Sequence, residues 1–183
     1  MNCMNEKIKV TKLDAAKRQL ETSVRIYFSN GDPVSIHTLA AAAYNIIRDV
    51  NKKRGGKPML LKEELIDTYV KPEYQKLMRE KINKSENFFK HADLDHEDNI
   101  DFSPRETELF MLDAISHYYS LTGEDPPFFK IYRFWYMINN AQMFNLPNEI
   151  QNIMQGHDAE YMKLLGKNGY YNSVLPFVMR YDT

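Results

Sequence analysis

The sequence contains a single cysteine, Cys3, so it cannot form an internal disulfide and suits a reducing compartment. It also lacks any apolar run close to the ~20 residues that a membrane-spanning helix needs. Its first ten residues alternate in charge and contain no apolar stretch of the kind found in secretory signals. We therefore expect a cytoplasmic protein that does not associate with membranes.

The sequence also lacks an excess of either positive or negative charge, because its formal net charge is only -1. Proteins held on nucleic acid by bulk charge carry an excess of Lys and Arg, so RNA as a partner gains no support from the net charge. Locally, residues 48–90 hold twelve Lys or Arg and seven Asp or Glu, whereas residues 91–108 hold one Arg and seven Asp or Glu. Such runs are typical of solvated faces; the alternative is a basic surface beside an acidic rim.

Alternating runs rich in Val, Ile and Thr, which are typical of strands, are also missing. The apolar residues instead recur at spacings of three and four, and the periodic segments are separated by capping residues, Pro and Gly. This pattern predicts an all-α, multi-helix bundle. The predicted helices run from a Thr11 cap to about Phe28 and then over 34–51, 60–70, 73–82, 104–121, 126–143, 149–154 and 158–165.

We expect the whole chain, 1–183, to form a single all-helical domain, because its length is that of one typical domain. Within it, the pattern predicts a core bundle over about 11–121 and a helical extension over about 124–165. The remaining residues, 166–183, are predicted to form an irregular tail that contains several aromatic side chains.

The densest group of acidic residues could bind a divalent cation weakly through its carboxylates. An EF-hand is excluded, because its required glycine and bidentate glutamate are replaced here by an aspartate and a proline. Cysteine-rich zinc sites, di-iron bundles and the His-Glu-x-x-His zinc helix are excluded by the single cysteine and the histidine spacings. No cofactor is predicted. The candidate cation ligands are Asp93, Asp95, Glu97 and Asp101.

Among the five histidines, His37 and His117 fall within predicted helices and are interpreted as structural. His91 differs, because it closes the segment 87–91, Asn-Phe-Phe-Lys-His, just before the acidic residues that could polarise its imidazole. Asn87 and His91 stand four residues apart and would share a helix face. We therefore take His91 as the candidate for chemistry.

Two segments resemble a HEPN-type domain, a compact bundle of about four helices found in prokaryotic toxin, defence and RNA-processing systems. Residues 12–55 resemble its opening hairpin, with an amphipathic helix, an Asn-Gly-Asp turn and an Ala-rich second helix. Asn87 and His91 match the polar residue and the histidine of the ribonuclease motif, whereas Glu86 stands where that motif has an arginine. The run 88–93 also resembles a segment of a bacterial family to which no activity is attached.

The resemblance implies a catalytic role for the family's arginine and histidine. They would stabilise the phosphate of the RNA and assist attack by the ribose 2′-hydroxyl, usually in a cleft between two protomers. Because Glu86 would repel a phosphate, the resemblance favours a HEPN-like fold over a HEPN-like activity. We predict a non-catalytic interaction or dimerisation module, with a second copy or another protein as partner. The alternative is a metal-independent ribonuclease with His91 as general acid and base, Asn87 as hydrogen-bond donor and Lys90 as phosphate partner.

Overall fold

The computed structural model describes residues 7–92 and 97–181, and every regular element in these ranges is helical. The prediction of an all-α, multi-helix bundle is confirmed. A π-helical turn at Leu60–Glu64 and a short 3-10 turn at Ala141–Met143 accompany the α-helices. The α-helices are α1 Lys12–Phe28, α2 Pro33–Lys53, α3 Leu65–Tyr69, α4 Pro72–Lys90, α5 Pro104–Thr122, α6 Pro127–Asn139, α7 Asn148–Gln155, α8 His157–Leu164 and α9 Gly166–Tyr181.

Local capping interactions account for the start of the first two helices. The Asp14 N–H donates to Thr11 Oγ1, and the Thr11 N–H donates to the Asp14 carboxylate, both at 3.1 Å. This reciprocal pair is a capping box. At α2, the Asp32 carboxylate accepts from the Ser35 N–H at 2.7 Å, and Pro33 occupies the first turn.

The centre of the bundle is α2, which lies between α1 and α5. Three alanines of α2, Ala40, Ala41 and Ala43, are completely buried. Their small side chains let neighbouring helices approach closely. Helices α6 and α9 pack against α1 and continue the same hydrophobic core towards the end of the chain.

The predicted irregular tail over 166–183 is wrong for residues 166–181, which form α9. Gly166, Gly169 and an internal Pro176 lower the intrinsic helix propensity of this segment. Tertiary packing overrides that propensity: Tyr170 is completely buried, and its hydroxyl donates to the Ile131 carbonyl at 3.0 Å. Residues 182–183 lie outside the described part of the chain.

The segment that leads to the candidate site also differs from its prediction. The helix predicted over 60–70 begins as a π-helical turn and continues as α3, and the helix predicted over 73–82 is longer and extends to Lys90 as α4. The π-helical turn directs the side chain of Lys62 into the interior, where it is buried. Such turns occur often at functional sites. Among the described helices, none is both long and apolar enough to span a membrane.

Candidate functional site

The predicted catalytic residues lie at the carboxyl end of α4. The helix ends at Lys90, and His91 takes an extended backbone with φ -129° and ψ 145°. The helical face that was expected to align Asn87 with His91 therefore stops one residue short of the histidine. Both residues are exposed, and their closest link is the His91 N–H, which donates to the Asn87 carbonyl at 3.0 Å. Their role in a ribonuclease reaction stays a prediction.

Lys90, the predicted phosphate partner, is paired within the protein. Its Nζ donates to Glu86 Oε1 at 2.7 Å, one helical turn away. The other carboxylate oxygen, Glu86 Oε2, accepts from Lys62 Nζ at 2.6 Å. The Glu86 carboxylate therefore binds two lysines, one at each oxygen.

Glu86 and Lys62 form a buried ion pair between α4 and the π-helical turn, and Asn45 of α2 completes it. The Asn45 amide nitrogen donates to Glu86 Oε1, and its oxygen accepts from Lys62 Nζ at 3.1 Å. Burial alone would raise the pKa of Glu86, but the hydrogen bonds from Lys62 and Lys90 outweigh burial and lower the pKa. Burial lowers the pKa of Lys62, against the opposing effect of Glu86. The carboxylate is thus held ionised by fixed donors, an arrangement suited to fixing three helical segments together.

A second buried network joins α5 to the start of the π-helical turn. Asp113 accepts from the Tyr44 hydroxyl at 2.9 Å and from the backbone N–H groups of Leu60 and Leu61 at 3.3 and 3.1 Å. Asp113 also contacts His117, whose Nδ1 lies 3.0 Å from Asp113 Oδ1. Burial opposes protonation of His117, but Asp113 outweighs burial and raises the pKa. This contact with Asp113 agrees with the interpretation of His117 as structural.

His37 is 1% exposed and faces α5, where its Nδ1 lies 2.9 Å from Thr107 Oγ1. Three phenylalanine rings surround the imidazole with centroids at 5.1 to 5.7 Å. Burial lowers the pKa of His37 to about 4, even though Glu86 acts in the opposite direction. His37 is therefore a neutral, structural histidine at neutral pH.

The predicted cation ligands are only partly placed. Asp93 and Asp95 lie outside the described residues, and Glu97 and Asp101 are exposed. Within 7–92 and 97–181, no three His, Cys, Asp or Glu side chains are grouped so as to hold a metal ion. Cation binding by the full acidic run stays a prediction.

A second surface of interest is an exposed face of α4, which no sequence pattern predicted. Leu77 is 49% exposed, and Tyr74 of the same helix and Tyr69 of α3 are exposed to a similar or greater degree. One turn before and one turn after Leu77 are the exposed Glu73 and Lys81. We refer to Glu73, Leu77 and Lys81 as the α4 ridge.

The α4 ridge adjoins an apolar groove of about 270 Å³. Lys81 belongs to both features, and the groove continues onto α5 and the π-helical turn. Because the ridge and groove share this residue, they form one continuous surface. The groove is lined by Leu61, Lys81, Ile82, Glu106, Leu109 and Phe110.

Comparison of the chain with known protein families, with curated proteins and with solved structures finds no match.

Proposed function

We propose that this chain is a non-catalytic interaction module that pairs with a second copy of itself through the α4 ridge. The observation that carries the proposal is the exposed Leu77, flanked on one helix face by a glutamate and a lysine at equal distances. Large apolar side chains exposed together mark interaction surfaces in proteins.

The way α4 is held supports this proposal. Only Ser85 and Glu86 of its nineteen residues are fully buried, and within residues 72–84 the one apolar side chain that packs against the core, Ile82, is only partly buried. Helix α4 packs mainly on α2 and α3. An amphipathic helix gains most of its stability from burying its apolar face. A partner that covers Leu77 and Tyr74 would supply the burial that α4 lacks.

The spacing of charges on the ridge favours a second copy as that partner. Glu73, Leu77 and Lys81 are spaced by four residues and form one ridge along the helix. If two copies cross antiparallel about a two-fold axis at Leu77, Glu73 of each copy faces Lys81 of the other. A two-fold interface must be complementary to itself, and this ridge has that property.

The carboxyl end of α4 gives less support to catalysis. The Lys90 ammonium is already bound to Glu86, which is also bound to Lys62. A phosphate would therefore compete with a buried carboxylate for Lys90. The α1–α2 pair joined by the turn at residues 29–32 supports a HEPN-like N-terminal part as one element of the proposal.

Sedimentation equilibrium over a range of protein concentrations tests the proposal. We expect the wild-type chain to form a dimer and Leu77→Glu to remain a monomer with unchanged helical circular dichroism. Leu164→Glu is the matched control, because Leu164 is an 85% exposed leucine on α8, and this variant should dimerise like the wild type. A monomeric wild type, or a Leu77→Glu dimer of unchanged affinity, would contradict the proposal.

A further inference from the structure

A cleft of about 340 Å³ lies where the ends of four helices meet. The carboxyl ends of α1 and α6 and the amino ends of α5 and α9 provide its walls. Its volume falls within the range of small-molecule sites, roughly 300–1,000 Å³. We refer to it as the Trp135 cleft, and it is lined by Tyr27, Arg105, Glu108, Trp135, Tyr136, Asn139, Asn140 and Lys167.

A hydrogen-bonded chain of side chains fixes one wall of the Trp135 cleft. The Trp135 Nε1–H donates to the Tyr27 hydroxyl at 3.2 Å, and that hydroxyl donates to Glu108 Oε1 at 2.9 Å. Trp135 and Tyr27 are nearly buried, at 7% and 6% exposed. The Glu108 carboxylate is therefore held in place by one oxygen, and its other oxygen remains able to accept a hydrogen bond from a ligand.

Two cations line the same cleft. Within the described residues, neither Arg105 nor Lys167 forms an ion pair, and the Lys167 ammonium lies over the Tyr27 ring, 3.9 Å from its centroid. These two positive charges exceed the single negative charge of Glu108. An anionic group is therefore the natural complement of the cleft, and Arg with Lys is the pair that proteins use for phosphate.

The asparagines at the end of α6 add acceptors. The side-chain N–H groups of Asn139 and Asn140 donate to the carbonyls of Trp135 and Tyr136, each at 2.9 Å. Each amide nitrogen uses one of its two N–H groups in this way, so each asparagine can still offer its amide oxygen and one N–H to a ligand. Together with Glu108, they suit a molecule rich in hydroxyl donors.

We infer that the Trp135 cleft binds a compact phosphorylated sugar, with the phosphate at Arg105 and Lys167 and the hydroxyls at Glu108 and the asparagines. The chemistry is shared by a free sugar phosphate and by the ribose phosphate of a nucleotide. A neighbouring depression of about 200 Å³ shares Tyr27, Glu108 and Lys167 with the cleft. It continues towards Ile36 and Pro104 and would receive the larger, flat part of a nucleotide.

Trp135 is the only tryptophan of the chain, so its fluorescence reports on this cleft directly. The wild-type protein is titrated with ribose 5-phosphate, AMP, ribose and inorganic phosphate, and calorimetry on the same samples detects binding that leaves the fluorescence unchanged. We expect saturable binding of ribose 5-phosphate, with ribose and inorganic phosphate each weaker by roughly tenfold or more. Tighter binding of AMP than of ribose 5-phosphate would identify a nucleotide as the source of the sugar phosphate.

The double variant Arg105→Gln/Lys167→Gln should lose roughly tenfold or more of the affinity, because both phosphate partners are removed. The matched control is Lys12→Gln/Arg18→Gln, which removes the same charge from exposed positions of α1 outside the cleft and should bind like the wild type. The inference is overturned if neither ribose 5-phosphate nor AMP binds saturably by either method. Equal affinity in the cleft variant and the wild type would overturn it as well.

Discussion

The Glu86 carboxylate and the Lys62 ammonium lie 2.6 Å apart, with only 7% and 5% of their side chains exposed. This pair joins α4 to the π-helical turn, and Asn45 ties both residues to α2. Glu86 therefore connects α4, the π-helical turn and α2. The alignment of Glu86 with a phosphate-binding arginine stays a prediction.

The first prediction concerns Glu86. Glu86→Gln should lower the free energy of unfolding by about 3–5 kcal/mol, because it removes one partner of a buried ion pair and leaves Lys62 uncompensated. Glu86→Arg should be at least as destabilising, since it places a third cation beside Lys62 and Lys90. Urea denaturation followed by circular dichroism measures both variants.

The matched control for Glu86 is the double variant Lys62→Met/Glu86→Leu, which replaces the pair by apolar side chains of similar size. It should recover most of the stability, because isosteric apolar replacement of a buried ion pair is often neutral or stabilising. A Glu86→Arg protein as stable as the wild type would contradict the structural role of Glu86.

The second prediction concerns pH and His37, whose pKa is lowered to about 4 in the folded protein from an ordinary 6.5. Below pH 6.5 the unfolded chain binds a proton that the folded chain does not, so His37 lowers stability as the pH falls towards 4. Above pH 6.5 it has no such effect. The change across this window should be on the order of 3 kcal/mol.

The double variant His37→Phe/Thr107→Val tests the contribution of His37, because it removes the imidazole together with its hydrogen-bond partner. Unfolding is measured from pH 4 to 7, and the wild-type slope is compared with the slope of the variant. The carboxylates with lowered pKa, including Glu86, Asp14 and Asp32, contribute acid sensitivity to both proteins. Equal slopes would show that His37 does not resist protonation in the folded state.

The third prediction concerns α9. Tyr170→Ala should destabilise the protein by about 3–5 kcal/mol, because it empties a fully buried position against Trp135 and Phe28. Tyr170→Phe should cost less, about 0.5–1.5 kcal/mol, since it removes only the hydrogen bond from the tyrosine hydroxyl to the Ile131 carbonyl. Thermal unfolding of both variants checks this order. A Tyr170→Ala protein that unfolds like the wild type would mean that α9 is not part of the core.

These residues also show how far the sequence could predict the structure. The capping box of Thr11 with Asp14 and the cap at Asp32 are local, so sequence patterns alone were sufficient to place α1 and α2. The helix at α9 depends on Tyr170, whose hydroxyl partner Ile131 belongs to another helix. The prediction rested on the glycines and the proline of this segment, because a contact with another helix is not visible in a local pattern.

The candidate site shows the same contrast between local features, which the sequence could predict, and distant contacts, which it could not. His91, Asn87 and Lys90 could be proposed from their spacing, but the spacing could not show that α4 ends before His91. Glu86 finds its partners 24 and 41 residues away, at Lys62 and Asn45. No local pattern indicates such pairings. The α4 ridge was also missed, because exposure of an apolar face is visible only after the neighbouring helices are placed.

The fourth prediction concerns ribonuclease activity. Purified protein incubated with RNA in EDTA should show no cleavage that depends on His91, because the Lys90 ammonium is already bound to Glu86. The wild type is compared with His91→Ala by gel electrophoresis of the RNA. Cleavage that disappears in a folded His91→Ala variant would favour the ribonuclease and contradict the non-catalytic proposal.

The fifth prediction concerns the charges of the α4 ridge. Glu73→Lys and Lys81→Glu should each weaken dimerisation. In a two-fold dimer, either substitution turns both Glu73–Lys81 pairs into pairs of like charge. Arg18→Glu is the control: it reverses the charge of an exposed residue on α1, away from the ridge, and should leave dimerisation unchanged.

The most direct measurement is sedimentation equilibrium of the double charge reversal, Glu73→Lys/Lys81→Glu. This variant should regain wild-type dimerisation, because each copy again presents a lysine opposite a glutamate. Dimerisation that stays as weak as in the single variants, or that none of these substitutions changes, would contradict pairing through the α4 ridge.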